Sequence, residues 1–369
     1  LMSTKKDKFS LKDKFYMEIA LDLAKSREGL TGTNPSVGCV IVKNDHIISI
    51  GRTSLNGRPH AEYNAINNCS ENLEGSKMYV SLEPCCHYGV TSPCTSAIIK
   101  SKISEVIYSV KDVDKRVYGK AERILRLKDI KVKSGLLKND ILQFYSSYFY
   151  NKKNKLPFIT GKIAISKNNL IYSKGYKKIT NKLSDKLTHY LRYSNDSIMI
   201  SYKTLNKDNP RLNCRLKNMR NFSPTRIVLD NKLSLNTKSY LFKSAVKDNT
   251  IVFYNEANKS KVDELKKSKI TLIKSKITKD KKFEIKTIMK KLYSLGSRNI
   301  LVEGGNDLTN YLLEKKIYNQ FYLFKSSKKL PKLNDFREFN GLKILKQKYK
   351  NRKKLKSNFG KDTVILHKI

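Results

Sequence analysis

The most informative part of the sequence reads His60-Ala61-Glu62-Tyr63-Asn64-Ala65-Ile66 and is followed by Pro84-Cys85 and then by Cys94. These residues supply one imidazole, two thiolates and a carboxylate next to the imidazole. Three protein ligands leave the fourth tetrahedral position of a zinc ion open for water, as a catalytic zinc site requires. The pattern therefore predicts His60, Cys85 and Cys94 as zinc ligands and Glu62 as the proton carrier of a hydrolytic zinc deaminase.

The predicted ligands lie at the ends of expected helices and strands. His60 and Glu62 would start a helix over 60–70, and Cys85 follows an apolar strand. Cys94 would open a helix whose dipole favours a thiolate. Cys86 and His87 lie between the two predicted cysteine ligands, and either of them could replace one of the three.

The length and composition favour two domains of ordinary size. A chain of 369 residues is long enough to bury two cores. It contains no run of about 18 apolar residues, so we expect no membrane span. Residues 1–14 lack the apolar centre of a signal peptide. Six cysteines with a zinc-like spacing indicate a reducing compartment, and we expect a cytoplasmic protein.

The net charge of +44 raises the question of a nucleic-acid partner. Residues 1–150 hold 23 Lys and Arg against 16 Asp and Glu, whereas residues 151–369 hold 53 against 16. The excess is mostly lysine spread over every segment, and no arginine-rich tract or aromatic-studded RNA motif accompanies it. We therefore expect a lysine-biased composition without a nucleic-acid partner. Attraction of a phosphorylated small substrate is a further explanation of the positive charge. The sequence leaves open whether the protein forms a homo-oligomer.

Alternating helix and strand patterns predict an α/β fold with helices on both faces of a sheet. The boundary is expected near 145–156, which gives domains 1–150 and 151–369. In the first half, Leu11, Phe15, Ile19 and Leu23 recur every four residues, as in the stripe of an amphipathic helix. Further helices are expected at 60–70, 95–100 and 119–127, and strands at 37–42, 47–51, 77–82, 105–110 and 130–133. In the second half, we expect strands at 158–164, 197–201, 225–229, 250–254, 270–274, 300–303, 342–349 and 363–367, and helices at 182–194, 260–267, 283–294 and from about 307.

Several motifs together carry a resemblance to a known family. They read Thr33-Asn34-Pro35-Ser36-Val37-Gly38-Cys39-Val40-Ile41-Val42, His60-Ala61-Glu62, Leu82-Glu83-Pro84-Cys85-Cys86-His87-Tyr88-Gly89, Pro93-Cys94, Asp208-Asn209-Pro210-Arg211-Leu212-Asn213-Cys214-Arg215 and Val302-Glu303-Gly304-Gly305. This combination resembles the RibD family of bifunctional riboflavin-biosynthesis deaminase–reductases. The resemblance covers nearly the whole chain, and it is specific because both halves occur in this order.

The resemblance implies the architecture and the chemistry of both halves. A cytidine-deaminase-like three-layer domain would be followed by a dihydrofolate-reductase-like α/β domain. The first would deaminate a phosphoribosylated diaminopyrimidinone with zinc, and the second would reduce the ribosyl group to ribityl with NADPH. The implied partner is thus a small phosphoribosylated pyrimidine, and the implied cofactors are Zn²⁺ and NADPH.

The resemblance also implies roles for individual residues. Asn34 would contact the pyrimidine, because a side-chain amide can satisfy both the donors and the acceptors of a ring amide. The phosphoribosyl substrate would lie near Arg192, Leu212, Arg215 and Glu303. The implied NADPH contacts are Ala164, Lys178, Thr204, Asp208, Asn231, Gly304, Gly305 and Asn306. Glycines before a helix let the backbone approach a pyrophosphate, which the helix N-terminus attracts.

The chain departs from the family pattern at four places. Thr53 stands where a histidine is usual, and Val90 stands where a basic residue is usual. Residues 166–169 read Ser-Lys-Asn-Asn in place of Ser-Leu-Asp-Gly, and Lys178 stands where a tryptophan is expected. Two alternatives follow. One is a deaminase whose second domain is only structural, and the other is a polynucleotide-binding deaminase motivated by the charge.

Overall fold

The computed structural model describes residues 8–176 and 178–369. The chain divides into two compact units after Lys155. Residues 146–154, which lie in the expected boundary region 145–156, form a helix that belongs to the first unit. No helix in the described ranges is both long enough and apolar enough to cross a membrane.

The first unit is built on one mixed sheet. Its elements are α1 (Leu11–Lys25), β1 (Gly38–Lys43), β2 (His46–Arg52), α2 (Ala61–Asn67), β3 (Lys77–Leu82), α3 (Cys94–Lys100), β4 (Glu105–Val110), α4 (Lys120–Arg126), β5 (Lys131–Ser134), α5 (Lys138–Phe144) and α6 (Ser146–Asn154). The strand order is β2-β1-β3-β4-β5. β1 is antiparallel to both neighbours, and β3, β4 and β5 are parallel to one another. The strands and the helices α1 to α4 therefore follow the pattern expected from the sequence.

Two glycines show that helices cover both faces of this sheet. A Cβ on Gly38 would lie 1.9 Å from the carbonyl oxygen of Ala20 in α1, and a Cβ on Gly51 would lie 2.1 Å from that of Ala61 in α2. Gly51 pairs with Cys39, the residue after Gly38, and side chains alternate along a strand. The two Cβ positions therefore point to opposite faces, so α1 and α2 lie on opposite sides of the sheet. This confirms the layered α/β fold class.

The buried face of α1 differs from the predicted stripe. Leu11 and Phe15 are exposed, by 82% and 55% respectively. The buried residues are Tyr16, Met17, Ala20, Leu21 and Ala24. A stripe that repeats every four residues drifts around a helix of 3.6 residues per turn. The alanines face the sheet because α1 approaches the backbone at Gly38 closely.

The second unit contains a longer sheet. Its elements are β6 (Phe158–Ile165), β7 (Leu170–Ser173), α7 (Lys182–Tyr193), β8 (Ser197–Ser201), α8 (Tyr202–Asp208), β9 (Thr225–Leu229), α9 (Tyr240–Lys243), β10 (Thr250–Tyr254), α10 (Lys259–Lys267), β11 (Thr271–Lys274), α11 (Ile285–Ser294), β12 (Asn299–Val302), α12 (Asn306–Glu314), β13 (Gln320–Lys325), β14 (Phe336–Glu338), α13 (Leu342–Lys348), β15 (Asn351–Lys354) and β16 (Thr363–Lys368). The order in the main sheet is β11-β10-β9-β8-β12-β6-β13-β16-β15. β7 and β14 form a separate antiparallel pair.

The central strands of this sheet run in one direction. The neighbouring strands β9, β8, β12, β6 and β13 are parallel to one another. β16 is antiparallel to β13, and the edge strand β15 is antiparallel to β16. The carboxyl ends of the parallel strands consequently share one edge. α/β proteins bind ligands at this edge, beyond the strand ends.

Two sequence predictions in the second unit need correction. The segment expected as a strand at 342–349 is the helix α13, in which Leu345 is the buried residue. Its leucines, lysines and glutamine favour a helix, and the following residues 351–354 form the edge strand instead. The strand β13 was not predicted, although it lies between β6 and β16 near the middle of the sheet. Periodicity does not distinguish a short apolar run in a strand from a buried helix segment.

Candidate active sites

The first unit brings the three predicted zinc ligands together. The ligand atoms of His60, Cys85 and Cys94 all lie within 4.8 Å of one another. His60 Nδ1 is 3.5 Å from Cys85 Sγ and 3.4 Å from Cys94 Sγ. His60 is the N-cap of α2, Cys85 follows β3, and Cys94 is the first residue of α3. One imidazole nitrogen and two sulfurs at this spacing fit a zinc ion with one open position.

Hydrogen bonds among these groups set their protonation. The pKa of Cys85 is lowered to about 4, because Cys94 and His60 hydrogen-bond to its sulfur. The pKa of Cys94 is raised, because its thiol is held by Cys85 and is buried. The hydrogen bond to Cys85 raises the pKa of His60. A metal requires both thiolates and the neutral imidazole, so metal binding at this site releases protons.

Glu62 lies in the first turn of α2 and faces the same cluster. Its side chain is buried, with the residue 3% exposed. Burial raises the pKa of Glu62 to about 7, and the negative charge of Cys85 acts in the same direction. A carboxyl group that titrates near neutral pH can both accept and return a proton. The structure thus places the predicted proton carrier next to the predicted ligands.

Asn34, the implied pyrimidine contact, is held by a neighbouring loop. Its Nδ2 donates a hydrogen bond of 3.0 Å to the carbonyl oxygen of Gly57. Thr53, which replaces the usual histidine, is 1% exposed, and its Oγ1 accepts from the backbone N–H of Val37 at 2.9 Å. Thr53 therefore has a structural role in holding the start of β1.

Cys86 and His87 lie outside the ligand cluster. The sulfur of Cys86 donates to the carbonyl oxygen of Arg116 at 3.4 Å. His87 Nδ1 is buried and has no hydrogen-bond partner among the described residues. Within the described ranges, the group of metal-ligating side chains at this place consists of His60, Cys85 and Cys94. The geometry therefore favours the original ligand set over either replacement.

Arg58 lies next to the cluster, and no sequence motif pointed to it. Its Nη1 donates a hydrogen bond of 2.6 Å to Thr91 Oγ1 in the loop between the two cysteine ligands. The positive charge of Arg58 opposes protonation of His60. The feature of the sequence that could have pointed to Arg58 is its position two residues before His60, but this position by itself does not indicate a role.

The second unit joins two of the implied cofactor residues at the carboxyl edge of the sheet. Thr204 lies in the first turn of α8, and its Oγ1 accepts a 3.2 Å hydrogen bond from the backbone N–H of Gly305. Gly305 caps α12, whose first residue is Asn306. A Cβ on Gly304 would meet Thr309 Oγ1 at 3.1 Å and Leu308 Cβ at 3.2 Å. The close approach explains why glycine occupies this turn, and the helix N-terminus favours an anion.

The other implied cofactor residues lie at several places in the second unit. Asn231 follows β9, and its Oδ1 is buried without a hydrogen-bond partner among the described residues. An orphaned buried acceptor of this kind fits a bound polar ligand. Ala164 lies near the end of β6, and Asp208 ends α8. Lys178 is exposed and forms an ion pair with Asp185 at 3.1 Å.

Arg192 and Glu303, both implied in substrate binding, form a buried ion pair with each other. Arg192 Nε and Nη2 donate to the two carboxylate oxygens of Glu303 at 2.7 and 2.8 Å. Burial alone would raise the pKa of Glu303, but Arg192 lowers it to about 2. Lys162 in β6, which sequence reasoning missed, acts on Glu303 in the same direction, and burial lowers its own pKa. Glu303 directly follows β12, and Lys162 follows Gly161, the β6 residue that pairs with the last residue of β12.

Arg215 lies beside this charged group. Its backbone N–H donates to His189 Nδ1 at 3.3 Å, and its Nη1 donates to Asn213 Oδ1 at 3.0 Å. Burial lowers the pKa of His189 to about 4, and the charges of Arg192 and Arg215 contribute. Leu212 is 2% exposed with a left-handed φ of 57°, so any substrate contact would come from its backbone.

A basic cavity opens next to Arg215. It has a volume of about 480 Å³. Its lining residues are Arg215, Lys217, Asn218, Arg220 and Asn221. Three cationic side chains and two amides around one cavity provide hydrogen-bond donors for an anion such as a phosphate.

The two sites define the class of protein. Hydrolytic deaminases of nitrogen heterocycles combine one histidine and two cysteine ligands with a glutamate that is not a ligand. The first unit has that combination. The second unit has the strand-end edge at which α/β proteins bind nucleotides, with a glycine turn leading into a helix. The chain therefore joins a zinc-deaminase unit to a unit of reductase type.

Comparisons with known proteins agree with this class. Residues 10–110 match the cytidine and deoxycytidylate deaminase zinc-binding region, and residues 169–365 match the RibD C-terminal domain. The riboflavin biosynthesis protein RibD of Aquifex aeolicus is 31% identical over 96% of this chain and 98% of its own length. The chain belongs to the RibD family, whose members combine a deaminase and a reductase for riboflavin biosynthesis.

Two further relatives show how the units occur elsewhere. A diaminohydroxyphosphoribosylamino-pyrimidine deaminase of Buchnera aphidicola is 44% identical over 40% of this chain and the whole of its own length. A crystal structure of a diaminohydroxyphosphoribosylaminopyrimidine deaminase/5-amino-6-(5-phosphoribosylamino)uracil reductase from Thermotoga maritima has a TM-score of 0.81 to this chain and 28% sequence identity. It covers 97% of this chain, and this chain covers 98% of it. The similarity thus extends over both units.

Proposed function

We propose that the first unit removes the exocyclic amine of a phosphoribosylated diaminopyrimidinone and releases ammonia. The observation that carries this proposal is the convergence of His60, Cys85 and Cys94 beside the buried Glu62. These three ligands would hold zinc, which when bound makes water a nucleophile near neutral pH. The printed name of the Buchnera relative supports the substrate class.

The protein's own residues would bind the ring and move the protons. Asn34 uses its amide N–H to bond Gly57, which leaves its carbonyl oxygen to accept from a pyrimidine N–H. Glu62 would take a proton from the attacking water and deliver one to the leaving amine. Its burial keeps the proton within the site during the exchange.

We propose that the second unit reduces the ribosyl side chain of the deaminated product with NADPH. NADPH would supply the hydride when bound. The N-terminus of α12 and the Thr204–Gly305 contact fit the pyrophosphate, and the orphaned Oδ1 of Asn231 fits a further polar group of the cofactor. Asp208 and Ala164 would line the same edge.

The substrate of this second step would lie against the charged group near β6 and β12. Arg215 and the basic cavity beside it would bind the phosphate, because guanidinium groups donate two hydrogen bonds to one phosphate. Lys162, held near Glu303 and with a lowered pKa, is positioned to give or take a proton as the ribosyl carbonyl is reduced. Arg192 would hold Glu303 in its ionised form.

The cellular setting follows from the cysteines. All six are free, which fits a reducing compartment such as the cytoplasm. The second candidate function is a deaminase whose second unit is only structural, since the Buchnera relative is a deaminase that matches the first unit alone.

The test is a coupled assay of the full chain loaded with zinc. Ammonia release from the phosphoribosylated diaminopyrimidinone should not depend on NADPH, and NADPH oxidation should begin only after deamination. Ammonia release without NADPH oxidation, even when the deaminated product is supplied, would favour the second candidate. Absence of both activities would contradict the proposed function.

A further inference from the structure

Arg58 is a cation at the deaminase site, and no described carboxylate forms an ion pair with it. Its side chain is partly exposed, and its hydrogen bond to Thr91 Oγ1 involves a neutral hydroxyl group. No ion pair of Arg58 is formed within the described ranges 8–176 and 178–369. By contrast, Arg116 of the same unit is paired with Asp114 at 2.7 Å. An unpaired guanidinium retains donors for an anionic ligand.

The backbone around Arg58 is held in place on both sides. The preceding residue, Gly57, has a left-handed φ of 91°, and a Cβ there would lie 2.6 Å from Asn34 Nδ2. Asn34 also donates to the carbonyl oxygen of Gly57. Two residues after Arg58 comes the ligand His60, so their Cα atoms lie within about 7.6 Å. Arg58 therefore directly follows the residue that contacts Asn34 and is two residues from the proposed ligand His60.

The loop between the cysteine ligands has no cation of its own. Residues 85–94 contain neither Lys nor Arg, and Val90 is 85% exposed. The guanidinium of Arg58 reaches over this loop, because a Cβ on Gly89 would lie 3.7 Å from its Nη2. Arg58 thus brings a positive charge to the loop of residues 85–94, which contains no lysine or arginine.

We propose that Arg58 binds the phosphate of the substrate in the deamination step. This inference rests on the proposed function, which places a phosphoribosylated pyrimidine with its ring at Asn34 and Glu62. With the ring bound at these residues, the phosphoribosyl group would extend outward to the loop of residues 85–94. There the remaining N–H groups of the Arg58 guanidinium would donate to the phosphate, while the hydrogen bond to Thr91 holds the guanidinium over the loop.

The first experiment compares the deamination of two substrates by the zinc-loaded full chain. They are the phosphoribosylated diaminopyrimidinone and the same compound without its phosphate. Arg58→Met should raise KM for the phosphorylated compound roughly 10- to 100-fold and leave kcat nearly unchanged, as loss of a charge-assisted contact predicts. Its kinetics with the dephosphorylated compound should not change. Inorganic phosphate should inhibit the native chain more strongly than the variant.

Two matched variants separate charge from structure. Arg58→Lys keeps the charge and should retain most of the preference for the phosphorylated compound. Arg52→Met removes an exposed arginine of the same unit, one that is bonded to Ser26 Oγ, and should change neither KM. The proposal is overturned if Arg58→Met affects both substrates equally or neither of them. It is also overturned if Arg58→Lys behaves like Arg58→Met while both hold zinc.

A binding experiment distinguishes this inference from the proposed function. Calorimetry would measure the affinity of the phosphorylated compound for zinc-loaded Glu62→Gln and for Glu62→Gln/Arg58→Met. A loss of roughly 10-fold or more in the double variant supports the phosphate contact without any turnover. Equal affinities overturn it. A native chain that binds the compound through Arg58 yet releases no ammonia would contradict only the proposed function.

Discussion

Replacing Arg192 by methionine should destabilise the second unit strongly. Arg192 donates two hydrogen bonds of 2.7 and 2.8 Å to the carboxylate of Glu303, and the two side chains are only 10% and 13% exposed. Arg192 also donates to the carbonyl oxygen of Asn213 at 3.2 Å. Arg192→Met would fill similar space but leave the Glu303 carboxylate buried without its main partner.

The gross attraction within the pair sets an upper limit to the effect, and the pKa of Glu303 gives the part that remains after burial has been offset. At these distances and an effective dielectric constant near 20, the gross attraction between the two charges is about 6 kcal/mol. The pKa of Glu303 is lowered from 4.5 to about 2, which corresponds to about 3 kcal/mol at 1.36 kcal/mol per pKa unit. Breaking one partner of a buried pair typically costs about 3–5 kcal/mol. We expect Arg192→Met to lower the free energy of unfolding of this unit by about that amount.

The effect should also depend on pH with a defined sign. A carboxyl group whose folded-state pKa is lowered contributes stability that is complete above its unfolded pKa of about 4.5. This contribution should disappear as the pH falls from about 4.5 towards 2. The native chain should therefore lose more stability than Arg192→Met over this interval.

The assay is hydrogen exchange of the amides in β12 at increasing urea concentrations. It reports the second unit separately, which a single unfolding curve of a two-unit chain does not. A double-mutant cycle of Arg192→Met and Glu303→Gln isolates the coupling free energy between the two side chains, which should exceed about 1.5 kcal/mol. Additive effects within about 0.5 kcal/mol, or a loss of less than about 1 kcal/mol in Arg192→Met, would refute the buried-pair argument.

Three further predictions concern the two sites. Cys85→Ser should lose zinc together with deamination, whereas Cys86→Ser should keep both; metal analysis showing the reverse would reassign the ligand. Glu62→Gln should hold zinc by the same analysis but lower kcat of deamination by about 10²–10⁴-fold, and retention of most activity would remove it from proton transfer. His189, whose pKa is lowered to about 4, should titrate at higher pH when inorganic phosphate binds nearby, because an anion favours the imidazolium. An NMR titration that shows no upward shift would place the phosphate elsewhere.

Most of the regular structure could be predicted because it is encoded locally. Strands such as 197–201 and 225–229 agree with β8 and β9, since each is a short apolar run between polar residues. The predictions failed where local patterns are ambiguous. Residues 342–348 are helical because leucine and lysine favour a helix, and the apolar stripe of α1 gave way to the small residues that allow close packing on Gly38.

The zinc site was predictable to a greater degree than the reductase site. His60, Cys85 and Cys94 have distinctive ligand chemistry and lie close to the starts of helices and the end of a strand. In the second unit, by contrast, Lys162 and His189 lie in no motif. Their importance depends on which charges surround them once the strands are aligned.

The sequence by itself determined the type of chemistry, because ligand identity and order are properties of neighbouring residues. It also determined the α/β alternation, because hydrophobic periodicity is local. Only the tertiary structure decided that Arg192 pairs with Glu303, 111 positions away, and that Thr204 meets Gly305. Likewise, only the folded structure brings Arg58 to Thr91, which lies in the loop between Cys85 and Cys94. Such contacts depend on strand order and on the path of loops, which no short stretch of sequence specifies.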